Sequence, residues 1–298
     1  MIQLEKVCKF VLSDVSLHVP EGEVVGLVGA SGAGKTTLLR LVCGLLQADS
    51  GRVRTLGQDP VVRHCHYSAK ISVFLTGVPL LCREDTIEQG FGLIKSMYHI
   101  ADSQFNQDYQ LLSERLDFRK YARETVKNLS LGQRMRAELG AALIYRPKLL
   151  LLDEPSVGLD ENGKAILWEL LKERCDMGMT VLMTSHDMAG VSGLCSRIAL
   201  LDSGKLVFYG SEKNLRNRYA PIDVMTLTVN GPLPDLQDLP IINYTVEGSV
   251  LTMLYDSNHI SSTEIMKLVL SQTRVSEVNI RKPNLENIIT QFKEGRSL

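Results

Sequence analysis

Two periods alternate along the first two-thirds of the chain. Short apolar or alternating runs at residues 2–7, 15–19, 23–28, 52–56 and 71–75 read as strands, and helical spacing follows the third of them over 35–43. Asp85-Thr86-Ile87-Glu88 resembles a capping box and predicts a helix from there to about Ile100. A further helix is expected from about Leu131 to Tyr145, stopping before Pro147. Residues 149–152 are four leucines, apolar without alternation, as in a strand covered on both faces. A helix over 165–177, a strand over 180–184, and strands 197–201 and 206–209 around the turn Asp202-Ser203-Gly204 complete an α/β domain expected to span residues 1–220.

The texture changes at Ala220-Pro221. Residues 221–298 read strand 224–229, helix 235–239, strand 241–246, strand 250–255, helix 262–271 and strand 275–280. That order predicts a small α+β domain with a ferredoxin-like sheet, closed by a last helix after Pro283.

Composition narrows the functional classes. A hydrophobic fraction of 44% and a charged fraction of 22% suit a soluble domain, and a net charge of −1 argues against a broad nucleic-acid surface. The six cysteines are scattered without the two-residue spacing of a redox or zinc motif, as expected of reduced thiols in the cytosol. The first residues carry Glu5 and Lys6, unlike a signal peptide, and no apolar run approaches the ~18 residues of a membrane helix. Any membrane role is expected to be peripheral, on the cytoplasmic face. His64-Cys65-His66 could place two imidazoles on one face, but without further ligands at metal spacing a surface loop is the better reading.

Three motifs carry chemistry. Gly29-Ala30-Ser31-Gly32-Ala33-Gly34-Lys35-Thr36-Thr37 follows an expected strand and opens an expected helix. Glycines there let backbone N–H groups close around phosphate oxygens, Lys35 adds a full charge, and the Thr36 hydroxyl can ligate Mg²⁺. The leucine strand ends in Asp153-Glu154, two carboxylates at the carboxyl edge of a parallel sheet. Asp153 would hold Mg²⁺ and Glu154 would act as general base; a plain acidic turn is the alternative. Ser130-Leu131-Gly132-Gln133 is either a simple capping box or a helix N-terminus exposed as an anion site.

Along the chain the glycine loop comes first, then Leu129-Ser130-Leu131-Gly132-Gln133, then Asp153-Glu154, and in that order the three motifs resemble the nucleotide-binding domain of ABC transporters, over residues 1 to about 218. The resemblance implies an ATPase that uses ATP and Mg²⁺, dimerises around two nucleotides and drives a separate membrane permease, as a homodimer or with a related ATPase. It implies that Ser130, Gly132 and Gln133 contact the γ-phosphate of ATP held by the other subunit, with Leu131 in place of the commoner glycine. Asp160, in Ser156-Val157-Gly158-Leu159-Asp160, would link the two sites, and His186, in Thr184-Ser185-His186-Asp187, would bond the γ-phosphate. Phe10 is the only aromatic available to stack on adenine and could equally be a core residue. The family's glutamine after the strand at 71–75, which reaches Mg²⁺ and the attacking water, is replaced here by Gly77. The ending Pro283-Asn284-Leu285-Glu286-Asn287-Ile288 resembles ATPases of drug-, antibiotic- and peptide-type exporters. The alternative is a regulatory or non-transport ABC protein that binds ATP with little turnover.

Overall fold

A computed structural model describes residues 1–62, 69–185, 188–219, 222–236 and 239–281. The contacts divide the chain into Met1–Gly210 and Ser211–Leu298.

The first unit is built on a six-stranded sheet of order β5-β6-β7-β3-β8-β9. Its strands are β3 (Val24–Gly29), β5 (Ile71–Phe74), β6 (Leu149–Asp153), β7 (Thr180–Thr184), β8 (Arg197–Asp202) and β9 (Lys205–Gly210). All pair in parallel except the β8–β9 hairpin. Every residue of β3, β6 and β7 is buried, which explains their lack of alternation: both faces of the sheet are covered. β1 (Ile2–Lys9), β2 (Leu12–Val19) and β4 (Ser50–Thr55) form a separate antiparallel sheet. Between the two sheets runs α1 (Lys35–Val42), whose Leu38, Leu39, Leu41 and Val42 join Ile2, Val15, Leu27 and Leu182 in one core.

Helices α2 (Ile87–Met97), α3 (Asp102–Arg115) and α4 (Leu131–Leu143) follow β5. Thr86 caps α2, but its box closes with Gln89 rather than with the residues expected: Gln89 N–H donates to Thr86 Oγ1 at 3.2 Å and Thr86 N–H to Gln89 Oε1 at 2.8 Å. α3 was not expected, although Phe105, Tyr109, Leu112 and Leu116 repeat at helical spacing. Its aromatics pack with Phe91 and Phe118, and Gly140 of α4 abuts both of those rings. Three arginines fasten α3 to its neighbours. Asp108 accepts from Arg146 at 2.7 and 3.1 Å and from Arg174 at 3.3 Å, while Arg115 pairs with Glu169 and Glu173. Arg174, Glu169 and Glu173 lie on α5 (Glu161–Asp176), which starts four residues before the expected helix because Asp160 caps it. α6 (Met188–Leu194) completes the unit. Among the described residues no helix is long and apolar enough to cross a membrane.

The second unit begins at Ser211, ten residues before the expected start at residue 221, because α7 (Glu212–Tyr219) belongs with it: Asn258 donates its side-chain amide to the Asn217 carbonyl at 3.0 Å. β10 (Ile222–Val229), β11 (Ile241–Glu247), β12 (Val250–Asp256) and β13 (Val275–Arg281) form an antiparallel sheet of order β11-β12-β10-β13. α8 (Ser262–Gln272) connects β12 to β13 and buries Ile265 and Val269 on Met225, Leu227 and Leu251. The helix expected at 235–239 is not found in the described residues of that stretch; Leu236 and Leu239 reach the core from irregular backbone. The helix expected after Pro283 lies outside the described residues, as does His64-Cys65-His66.

Asp108 is 2% exposed and is the counter-charge of the nearly buried Arg174. Asp108→Ala is expected to destabilise the protein by about 2–3 kcal/mol, somewhat under the usual cost of breaking a buried ion pair because Arg146 is half in solvent. Chemical denaturation measures this, and a loss below about 0.5 kcal/mol would contradict it.

Candidate functional site

The parallel strands deliver their carboxyl ends to one edge. β3 ends at Gly29, and the loop 30–34 leads straight into α1 with Gly34 as N-cap at φ 105°. Gly34 lies so close to Leu12 and Val11 that a side chain would collide with them, and one at Gly29 would enter the Leu201 carbonyl. Gly32, at φ 81°, borders open space. Ser31 is exposed, Ala33 is buried against the loop, and Thr37 sits half-buried in the first turn of α1. Lys35 is folded back over this loop, donating to the Gly29 and Ala30 carbonyls at 2.9 and 3.0 Å. A loop of amide donors, a helix N-terminus and a nearly buried ammonium form a concave anion receptor.

β6 ends beside it. The Thr36 hydroxyl lies 3.2 and 3.1 Å from the two carboxylate oxygens of Asp153. Two hard oxygen donors converging next to a phosphate receptor fit Mg²⁺, which prefers few protein ligands and completes its shell with phosphate and water. Among the described residues no cluster of three His, Cys, Asp or Glu could hold a metal by itself. The strands flanking β6 each contribute a threonine: Thr76, just beyond β5, donates to the Asp153 carbonyl at 3.2 Å, and Thr184 of β7 donates to Asp153 Oδ1 at 2.7 Å. Glu154 follows with a left-handed backbone, φ 52°.

Beyond Glu154 the chain reaches Gly158, which abuts the start of α4: a side chain on Gly132 would press on the Gly158 carbonyl at 2.7 Å. Ser130 caps α4 in a closed box with Gln133. Asp160 accepts from Gly163 N–H and pairs with Arg136 of α4. The Gly163 bond first, and Arg136 after it, hold the Asp160 carboxyl below its usual range. Thr76, Gly77, Leu131, Glu138 and Glu154 line a groove of about 250 Å³. Burial raises the Glu138 carboxyl above its usual range.

Phe10 is 75% exposed at the tip of the β1–β2 hairpin, so it is not a core residue. The next residues, Val11 and Leu12, pack on Gly34, which sets the Phe10 turn beside the anion receptor. Gly77 occupies a tight turn closed by Val78 N–H donating to the Leu75 carbonyl at 3.0 Å, and its φ of 83° explains the glycine. Gln89 is committed to its capping box. His186 lies outside the described residues. Sequence reasoning named Thr184 only as the first residue of Thr184-Ser185-His186-Asp187 and gave its hydroxyl, at the end of β7, no role.

Residues 12–157 match the family described as ABC transporter. The chain is 30% identical to the daunorubicin resistance ATP-binding protein of Streptomyces coeruleorubidus, over 94% of this chain and 90% of that protein. This chain belongs to the ABC transporter ATP-binding proteins. It is also 28% identical to the Nod factor export ATP-binding protein I of Rhizobium etli, over 97% of this chain and 90% of that protein. A solved dimeric ATP-binding cassette in a post-hydrolysis state, bound to ADP and Pi, shares its fold at a TM-score of 0.62 and 24% identity, covering 71% of this chain and 98% of that one. Members of this family are ATPases that bind ATP with Mg²⁺, dimerise and work with membrane permeases, and this ABC subunit is one of them.

For an ABC ATPase the three residues around the missing glutamine make a direct test. Gln89→Ala should leave ATP turnover within about twofold of wild type, since its side chain serves the α2 cap, while melting earlier by the equivalent of ~1 kcal/mol. Thr76→Ala should lower turnover by removing a donor to Asp153. Gly77→Gln should hold or raise turnover at a stability cost of about 1–2 kcal/mol, because φ 83° suits glycine alone. Steady-state rates with melting curves decide it; collapse in Gln89→Ala alone would show that the glutamine's work is done there.

Proposed function

We propose that this chain forms an ATP-dependent head-to-tail homodimer that powers export through a separate permease at the cytoplasmic face of a membrane. The observation that carries the reading is the convergence of Lys35, Thr36 and Asp153 at the carboxyl edge of the sheet. Lys35 would exchange its bonds to the Gly29 and Ala30 carbonyls for the β- and γ-phosphates. Thr36 and Asp153 would hold Mg²⁺, which neutralises phosphate charge when bound. Glu154 would orient and deprotonate the attacking water as general base. Phe10 would stack on adenine.

Ser130, Gly132 and Gln133 would meet the nucleotide of the other copy. The capping box does not prevent this: Ser130 Oγ accepts from Gln133 N–H, so its own proton is left to donate to a phosphate oxygen. Asp160 would work from the same interface, held by Arg136. His186 is proposed for the γ-phosphate on its sequence position alone. Export is supported by the relatives matched along nearly the whole chain, one named a resistance protein and one an export protein. The unit from Ser211 is proposed to serve dimer contact or regulation.

Lys35→Ala should abolish ATP binding. Glu154→Gln should keep binding, slow hydrolysis by ~100-fold or more and accumulate a dimer with Mg-ATP. Light scattering and phosphate release check these. Wild-type turnover in Glu154→Gln would refute the general base, and a monomer at saturating Mg-ATP would favour a related ATPase as partner. A chain truncated after Tyr219 should still bind ATP; complete loss in a folded truncation would overturn the division of labour.

A further inference from the structure

Thr184 has been given no role so far, yet its hydroxyl touches both acidic residues of the site. It donates to Asp153 Oδ1 at 2.7 Å and accepts from the Glu154 N–H at 2.9 Å. The direction of each bond is forced: a carboxylate oxygen only accepts and a backbone N–H only donates, so the single hydroxyl proton goes to Asp153 and a lone pair to Glu154. We infer that Thr184 is a positioning residue of the hydrolytic site, fixing at once the carboxylate rotamer of Asp153 and the left-handed backbone of Glu154. The inference rests on the proposed roles of those two residues.

The surroundings explain why one hydroxyl can do both. Thr184 is fully buried and stands directly opposite Asp153 in the β6–β7 ladder, so its bonds form out of water, where they are strongest. Its proton occupies Oδ1 from the β7 side, which leaves the rest of the carboxylate turned toward Thr36 and the metal position. On the other side Glu154, at φ 52°, takes a conformation unfavourable for a side-chain-bearing residue. The same Glu154 N–H lies 3.3 Å from the Thr184 carbonyl, so residue 184 anchors this turn from backbone and side chain together. A merely satisfied strand threonine would bond to a carbonyl of its own surroundings. Among the described residues this hydroxyl bonds to the pair whose geometry decides whether metal and water meet the phosphate correctly.

Thr184→Val keeps the shape and removes the hydroxyl; Thr184→Ser keeps the hydroxyl and removes a methyl. In nucleotide-free protein, amide exchange of a peptide spanning residues 153–157 should quicken about tenfold or more in Thr184→Val, and stay near wild type in Thr184→Ser. With Mg-ATP, Thr184→Val should bind nucleotide within about threefold of wild type, turn over at least about tenfold more slowly and need more Mg²⁺ for half-maximal rate, the scale set by one bond to a charged group. Thr184→Ser should restore all three to within about threefold. Unchanged exchange and turnover in a folded Thr184→Val overturns the inference, as does a Thr184→Ser that loses as much, which alone decides the matter if the valine variant does not fold. A wild-type protein that cannot hydrolyse Mg-ATP breaks the functional reading instead, and the exchange arm still judges the clamp.

Discussion

Asp153 stands at the end of a strand buried on both faces, with hydroxyls approaching it from β5, β7 and α1. Thr76 holds its carbonyl, and Thr184 and Thr36 hold its carboxylate. A carboxylate in such a place costs several kcal/mol to desolvate and is tolerated only when hydrogen bonds surround it. The sheet order supplies those bonds, because placing β6 between β5 and β7 brings two threonine-bearing strand ends alongside it. The position of the anion receptor depends on the same edge, since β3 pairs with β7 up to Leu27 opposite Thr184 and runs on two residues to Gly29.

A second constraint joins this edge to the helices. α5 is tied to α4 at its start, through Asp160 and Arg136, and to α3 farther along, through Arg174 with Asp108 and through Glu169 and Glu173 with Arg115. Gly132 and Gly158 bring the α4 N-terminus against the loop that leaves Glu154, where any larger residue would force them apart. In the proposed function a displacement at either end of α5 would thereby be felt at the segment presented to the second nucleotide.

Much of this was legible in the sequence because burial on both faces leaves an unambiguous trace. The leucine run of β6 and the apolar β3 and β7 could be little else, and the glycine loop fell between strand and helix as its motif requires. α3 was missed although its aromatic stripe was present, because its polar, glutamine-rich face masks the repeat. The α5 start was placed late because Asp160 was read for a role across a dimer, not as a cap. Near Leu236 a turn bond, Leu239 N–H to the Leu236 carbonyl at 3.1 Å, accompanies two buried leucines, and their spacing imitated a helix. Gly77 was read as standing where the family has glutamine; its turn calls for a left-handed residue and directly follows Thr76, which bonds the Asp153 carbonyl. The part played by the Thr184 hydroxyl could not be read because its partners, Asp153 and Glu154, lie at the end of another strand.

The claim on which the rest turns is that Asp153, held by its threonines, couples ATP binding to the metal. Titration of ATP into wild type and Asp153→Asn, each with Mg²⁺ and with a chelator, tests it without needing turnover. Wild type should bind more tightly with Mg²⁺ than with chelator, and Asp153→Asn should lose that increment while keeping metal-free affinity. An equal Mg²⁺-dependent gain in the two proteins would contradict the account.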